Sequence, residues 1–283
     1  MKKSSLSLLP VLLWLSLFLV VPMLIVVGIS FMGRDSLGNV VLDFKFDAYA
    51  MFFDPLYLGI YWDTIVLSVL TTVFCLLLSY PLAYYIANAG PRMQTWGLVL
   101  ITVPFWINFL IRTYAWVLLL RTQGVVNELL LDFGLIAEPL QMLYTRGAVL
   151  LGMVYTFIPF MVLPIYVSLE QMDKKLLEAA SDLGASRWRA FWHITLPQTK
   201  SGIMTGSVLV YVSTTGMFVV TDILGGAKSA MISNIIQSQF LGARNWPFGS
   251  ALSVIFVITS LILIALFNRA MTSRYQTVRE VGS

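Results

Sequence analysis

The chain is 283 residues long, 58% hydrophobic and only 11% charged, with a mean hydropathy of +0.84. Soluble domains carry about 25% charged and 45–50% apolar residues, so these proportions exclude an ordinary soluble domain and describe an integral membrane protein. The net charge of +4 does not argue for nucleic acid, because the basic residues gather in particular loops as topology signals. No Gly-rich loop ends in Gly-Lys-Ser/Thr, which leaves any use of ATP to another chain.

A bilayer-crossing helix needs about 20 mostly apolar residues. Six stretches meet that need: Leu8–Ser30, Tyr61–Ala87, Trp96–Leu120, Gly147–Leu169, Gly202–Ile223 and Ser250–Arg269. The first follows Lys2-Lys3 as a signal peptide does. Its apolar run outlasts the 7–15 residues of a signal core and no A-x-A-like site follows, so it reads as a retained anchor. Cys75, the single cysteine, lies in the second stretch and reads as a small packing residue. Pro81, Pro104, Pro159 and Pro164 interrupt spans and Gly216 thins the fifth, breaks that a membrane tolerates where neighbours or a cavity satisfy the freed backbone.

With six spans, one side holds the N-terminus, 89–95, 170–201 and the C-terminus, and it collects Lys2, Lys3, Arg92, Lys174, Lys175, Arg187, Arg189, Lys200, Arg274 and Arg279. Acids prevail on the other side. The Lys/Arg bias puts both termini in the cytoplasm. In the non-cytoplasmic loop 222–249, Ile232, Ile235, Ile236, Phe240 and Leu241 recur at helical spacing and predict a short helix, either interfacial and capping the outer mouth or packed only on its own loop. The organisation reads as an N-terminal helix and loop (1–60), a permease domain (61–270) and a tail (271–283).

The 170–200 loop carries the densest pattern. It runs Glu178-Ala179-Ala180, Gly184-Ala185, Phe191, Ile194 and Leu196-Pro197. Leu176–Leu183 are helix-compatible and stop at Gly184. Ser186 caps a second short helix over Arg187–Ile194, and Pro197 suits the first turn of a third. A helix-Gly-helix elbow of this kind can pass a rigid-body push to the span that begins near Gly202. His193, the single histidine, lacks any metal or catalytic constellation around it and reads as a surface or interface residue; no catalytic or metal site is expected.

That pattern resembles the EAA loop by which permease subunits of ABC importers dock into their ATPase. The stretches Asp54-Pro55-Leu56-Tyr57, Tyr80–Tyr84, Pro104-Phe105-Trp106 with Asn108 and Leu110-Ile111-Arg112, and Asn245–Gly249 are similar to spermidine/putrescine importer permeases of the PotB type, over nearly the whole chain. The resemblance implies an all-α, six-helix type I importer (MetI-like) fold in the bacterial inner membrane. It also implies a PotC-like second permease on a pseudo-twofold axis, two ATPase subunits that bind ATP-Mg, a periplasmic binding protein and a polyamine cargo. Glu178, Ala179, Ala180, Gly184 and Ala185 would couple to the ATPase. The chain itself would be neither an enzyme nor a cofactor binder.

For the path, Trp106, Asn108 and Tyr114 are candidates, with Asp63 and Asp222 at outward span ends. Simple interfacial placement explains the two acids equally well. Trp116, Tyr155 and Tyr211 offer further cation–π surface. Arg112, a cation within the third span, is expected to pair with an acid such as Asp222 or to bond carbonyls freed near Pro104. An inside-negative potential drives a trication inward by roughly 7 kcal/mol per 100 mV, so ATP would serve to open the site outward and reset it. Other cargoes fit the same residues: putrescine alone, another organic cation, or an inorganic or metal-complex anion. A channel or membrane enzyme outside this family is the remaining reading.

Overall fold

The computed structural model describes residues 10–11, 13–35 and 38–280. Lys2 and Lys3, on which part of the charge bias rests, lie outside them, as do Leu8, Leu9 and Leu12 of the first stretch. The helices are α1 (Leu13–Ser30), α2 (Asp47–Phe52), α3 (Pro55–Ala87), α4 (Pro91–Thr102), α5 (Phe109–Leu120), α6 (Val125–Asp132), α7 (Arg146–Glu170), α8 (Lys175–Asp182), α9 (Arg187–Ala190), α10 (Lys200–Thr215), α11 (Ile232–Leu241) and α12 (Trp246–Glu280).

The expectation of an all-α chain needs a small correction. Two short antiparallel strands, β1 (Met32–Arg34) and β2 (Val40–Phe44), pair Met32 with Phe44 and Arg34 with Val40. The turn between them is built by Asp35, whose carboxylate accepts from the Asn39 backbone N–H at 2.7 Å, and by Gly38 at φ +90°.

Among the described residues, α1, α3, α7 and the Trp246–Arg269 part of α12 are each long and apolar enough to cross a membrane. Two expected spans differ. The third is two arms, Pro91–Trp106 and Phe109–Asp132, bent by 92° at Ile107-Asn108. Pro104 begins the break, since it has no N–H for the helix ladder. Asn108 then restarts the helix by accepting from the Leu110 N–H at 2.9 Å. The fifth stops at Thr215, after 16 residues, as Thr214 and Thr215 turn their hydroxyls back to Val210 and Val212 carbonyls and Gly216 ends the run. The chain resumes in a widened turn, Thr221–Gly225.

Two further widened turns, Ser16–Val20 and Phe191–Thr195, stand immediately before Pro22 and Pro197. A proline ring meets the carbonyl four residues back. Those carbonyls belong to Phe18 and His193, inside the widened turns, and the local expansion lets the helix continue.

The chain divides into two compact units. The first comprises the residues up to Trp62 with Ile232–Leu266. Its core is Phe52, Ile232, Phe248 and Leu252, with Tyr57, Tyr61, Ile235 and Ile236 packed around them. The predicted helix at 232–241 is therefore present as α11, and its repeating isoleucines face this core. Asn245 caps α12 by accepting from the Phe248 N–H, with Pro247 in the first turn where its missing N–H costs little. The second unit comprises Asp63–Met231 and the chain from Phe267. Its core lies along α7, where Val149, Met153, Met161, Val162 and Ile165 are fully enclosed.

The α7–α10 contact depends on missing side chains. A Cβ at Gly202 would stand 2.4 Å from the Pro164 carbonyl oxygen, and one at Gly206 would stand 2.7 Å from Met161 Sδ and 3.2 Å from Met161 Cα. Small residues four apart let membrane helices approach backbone to backbone, where dispersion replaces the hydrophobic drive that lipid removes. Also along α7, the Cys75 thiol of α3 donates to the Val154 carbonyl at 3.6 Å and the Ser79 hydroxyl to Ile158 at 3.3 Å. Cys75 is wholly buried, as a packing residue should be.

Candidate coupling elbow and solute path

The Asp173 carboxylate starts the elbow by accepting from the Lys175 N–H at 3.0 Å. Helix α8 then ends in a Schellman closure: the Gly184 N–H bonds the Ser181 carbonyl and the Ala185 N–H reaches back to Ala180, both at 2.9 Å. Such a closure needs a residue in the left-handed region, and Gly184 supplies it at φ +77°. The spacing of Ala180, Gly184 and Ala185 thus has a backbone cause, because these three positions make the turn. Ser186 caps α9 by accepting from the Arg189 N–H at 3.4 Å, as its position predicts.

Helix α8 buries no residue. Glu178, Ala179 and Gly184 are exposed, and Ala180 and Ala185 half-buried. Leu183 and Trp188 are 89% and 72% exposed, which puts large apolar surface on a short polar loop. His193 is exposed, with Nδ1 3.0 Å from the Arg189 carbonyl, in keeping with a surface role.

Phe191 ties the elbow down. Its ring meets Tyr80 edge-on at 5.7 Å and Tyr84 at 6.2 Å, so the Phe of one quoted stretch packs on the two Tyr of another. The buried Thr199 hydroxyl donates to Thr195 at 2.9 Å, which leaves Tyr80 to donate to Thr199 Oγ1, also at 2.9 Å. Immediately beyond lie Gly202 and Gly206 and the close contact with α7. The elbow therefore adjoins a tightly packed helix pair.

Of the five path candidates, Asp63 lines a cavity. Asp63 holds Arg146 at 2.5 Å, with side chains 45% and 69% exposed. The pair opens onto a cavity of about 180 Å³ lined by Val66, Leu67, Leu70, Leu150 and Met231, which takes in none of Trp106, Asn108, Tyr114 or Asp222. Trp106, 85% exposed, and Asn108 flank the break in the bent pair, and Tyr114 stands 57% exposed on α5. Asp222 sits in the widened turn Thr221–Gly225.

Arg112 departs from expectation. Neither ion pair among the described residues includes it. Its guanidinium carbon lies 5.3 Å from the Phe105 ring centroid and 5.9 Å from that of Tyr155.

Sequence reasoning missed three features. Nothing local in the sequence pairs Arg146 with Asp63, 83 residues away. The Gly202-x3-Gly206 spacing was visible in an apolar run and is a recognised helix-contact signal. Asn127, 1% exposed, organises the 121–146 loop by donating to Leu140 at 2.9 Å and accepting from the Leu140 N–H at 2.8 Å; nothing local distinguishes it from a surface Asn.

Comparison with known proteins assigns this arrangement to a family. The family model described as binding-protein-dependent transport system inner membrane component matches residues 79–277. The spermidine/putrescine transport system permease protein PotB of Haemophilus influenzae is 40% identical over 91% of this chain and 90% of its own. Its Escherichia coli K12 counterpart of the same name is 42% identical over 91% and 94%. In structure, the chain superposes with TM-score 0.73 at 22% identity, over 96% of its length and 94% of the other, on a chain of the bacterial alginate ABC transporter in complex with alginate pentasaccharide-bound periplasmic protein. That likeness establishes a shared fold. The chain belongs to the binding-protein-dependent transport system inner membrane component family.

Proposed function

We propose that this chain is a permease subunit of an ATP-driven ABC importer that moves the polyamines spermidine and putrescine from periplasm to cytoplasm. The observation that carries the cargo is the 40–42% identity over 91% of the chain to proteins named for that transport. The permease pairs with a PotC-like second permease, two ATPase subunits that hold ATP-Mg, and a periplasmic binding protein. The alginate transporter, seen with its periplasmic protein bound, supports the last of these. The family description as an inner membrane component supports placement in the bacterial inner membrane.

In this reading the chain crosses the membrane six times, the bent pair forming one crossing and α10 with the following turn another. Both termini and the elbow face the cytoplasm, as the Lys/Arg distribution favours. Glu178, Ala179, Ala180, Gly184 and Ala185 form the ATPase-docking elbow, supported by the Schellman closure and by the exposed Leu183 and Trp188 beside it. Asp63 and Asp222 contribute negative charge at the outward ends of the path.

The test is radiolabelled spermidine uptake into proteoliposomes holding this chain with its partner permease and ATPase, with the binding protein supplied. ATP- and binding-protein-dependent uptake competed by putrescine is the expected result. ATP hydrolysis without spermidine uptake refutes the cargo, and uptake without the ATPase refutes the importer.

A further inference from the structure

The break in the bent pair is spanned by one cation. Phe105 stands on the arm before the break, Arg112 on the arm after it, and Tyr155 on α7. Arg112 lies over both rings at 5.3 and 5.9 Å, within the roughly 6 Å at which an aromatic face holds a cation. The rings are themselves braced, Tyr155 by Trp116 at 5.4 Å and Phe105 by Phe160 at 5.5 Å. Arg112 Nε is buried and makes no hydrogen bond. A half-buried guanidinium held by rings, with one N–H left dry and no carboxylate in an ion pair with it among the described residues, is weakly retained. The cage is also reachable: Phe105 and Phe160 are 36% and 37% exposed, and Tyr155 and Trp116 are half-buried.

We propose that Phe105 and Tyr155, with Trp116 and Phe160 behind them, form a cation-binding site in which Arg112 is a tethered occupant, and that an alkylammonium entering the path displaces it. This rests on the polyamine reading and specifies how that cargo is sensed. Exchange of one cation for another leaves the charge of the cage unchanged, while the released Arg112 gains water at its dry Nε. A compact ammonium is more strongly hydrated than a guanidinium and competes poorly one for one, so exchange favours a di- or triamine held at a second point. Because Arg112 joins the two arms through Phe105, its release also frees the break at Ile107-Asn108 to change angle. An internal cation therefore keeps the bend set until a polyamine replaces it.

The experiment is equilibrium binding of radiolabelled spermidine to the full permease–ATPase complex in nanodiscs, without ATP or binding protein. Arg112→Gln removes the competitor, and spermidine should bind about tenfold tighter, the equivalent of one ring-held cation. Adding Tyr155→Leu to Arg112→Gln should abolish the gain. Arg112→Lys retains a tethered but poorer occupant and should gain less; it serves as the comparison if Arg112→Gln does not assemble. Where the wild type binds spermidine, unchanged or weaker binding in the Arg112→Gln variant overturns the proposal. Methylguanidinium, the tethered group itself, separates cage from cargo. Followed by saturation-transfer NMR, it should bind the Arg112→Gln complex and not the wild type, even if neither binds spermidine, in which case the cage stands and the polyamine reading falls. Spermidine binding equal in both, with methylguanidinium bound by neither, overturns the cage and leaves the cargo intact.

Discussion

Replacing Gly184 tests the elbow by backbone conformation alone. The residue sits at φ +77°, and a Cβ built on it meets nothing within 4 Å. Any penalty for a side chain is therefore conformational, with no clash to relieve. An L-residue in the left-handed region costs about 1–2 kcal/mol, and Asn less because its short amide bonds locally. A loss of that size lowers the population of the closed elbow by a factor of about 5–30. Leu183 and Gly184 are exposed within this chain, so its folding and membrane insertion should not change. Stimulation of ATPase by the loaded binding protein, measured in proteoliposomes, should fall by about 5–30-fold in Gly184→Ala. Gly184→Asn should fall less and Gly184→Val more, because β-branching adds to the strain. Basal ATPase of the assembled complex serves as the internal reference. Full stimulation in Gly184→Val would refute both the Schellman geometry as the docking requirement and the assignment of this loop to coupling.

Gly202→Ala places a methyl 2.4 Å from the Pro164 carbonyl and must part α7 from α10, an overpacking cost of about 1–3 kcal/mol; the purified complex should melt at a lower temperature, and an unchanged melting curve would contradict the contact. Asn127→Leu leaves the Leu140 peptide group unpaired at about 1–3 kcal/mol, so limited proteolysis should cut between residues 121 and 146 faster than in wild type, and equal cutting rates would argue against Asn127 as the loop's organiser. Asp63→Asn opens an ion pair exposed enough to contribute about 0–1 kcal/mol, so melting should hardly move while half-saturation for spermidine uptake rises; the reverse pattern would make the pair structural.

Much of the site was legible locally. The elbow follows from Gly184, Ser186 and the helix-compatible run before them, because capping and left-handed closure are decided within a few residues. The helix at 232–241 was legible from its isoleucine period. The strands at 32–34 and 40–44 were missed, although Leu42-Asp43-Phe44-Lys45-Phe46-Asp47 alternates apolar and polar, because their pairing depends on a turn built by Asp35 and Gly38. The 92° break was half legible. Pro104 and Asn108 each signal a boundary, yet the hydropathy of 96–120 runs straight through them.

The sequence by itself determined that this is a membrane protein, where its apolar stretches lie, and that a helix-Gly-helix elbow interrupts them, because bilayer partition and backbone capping are local properties of composition and spacing. The tertiary structure decided what those stretches do to one another. It set Gly202 and Gly206 against the α7 backbone, laid Phe191 on Tyr80 and Tyr84, paired Asp63 with Arg146, and put Arg112 between two rings instead of beside an acid. Those outcomes depend on which residues, far apart in the chain, reach the same few ångströms of space. In a bilayer the lipid is as apolar as the side chains, so close packing and polar satisfaction choose among the arrangements that hydropathy leaves equal.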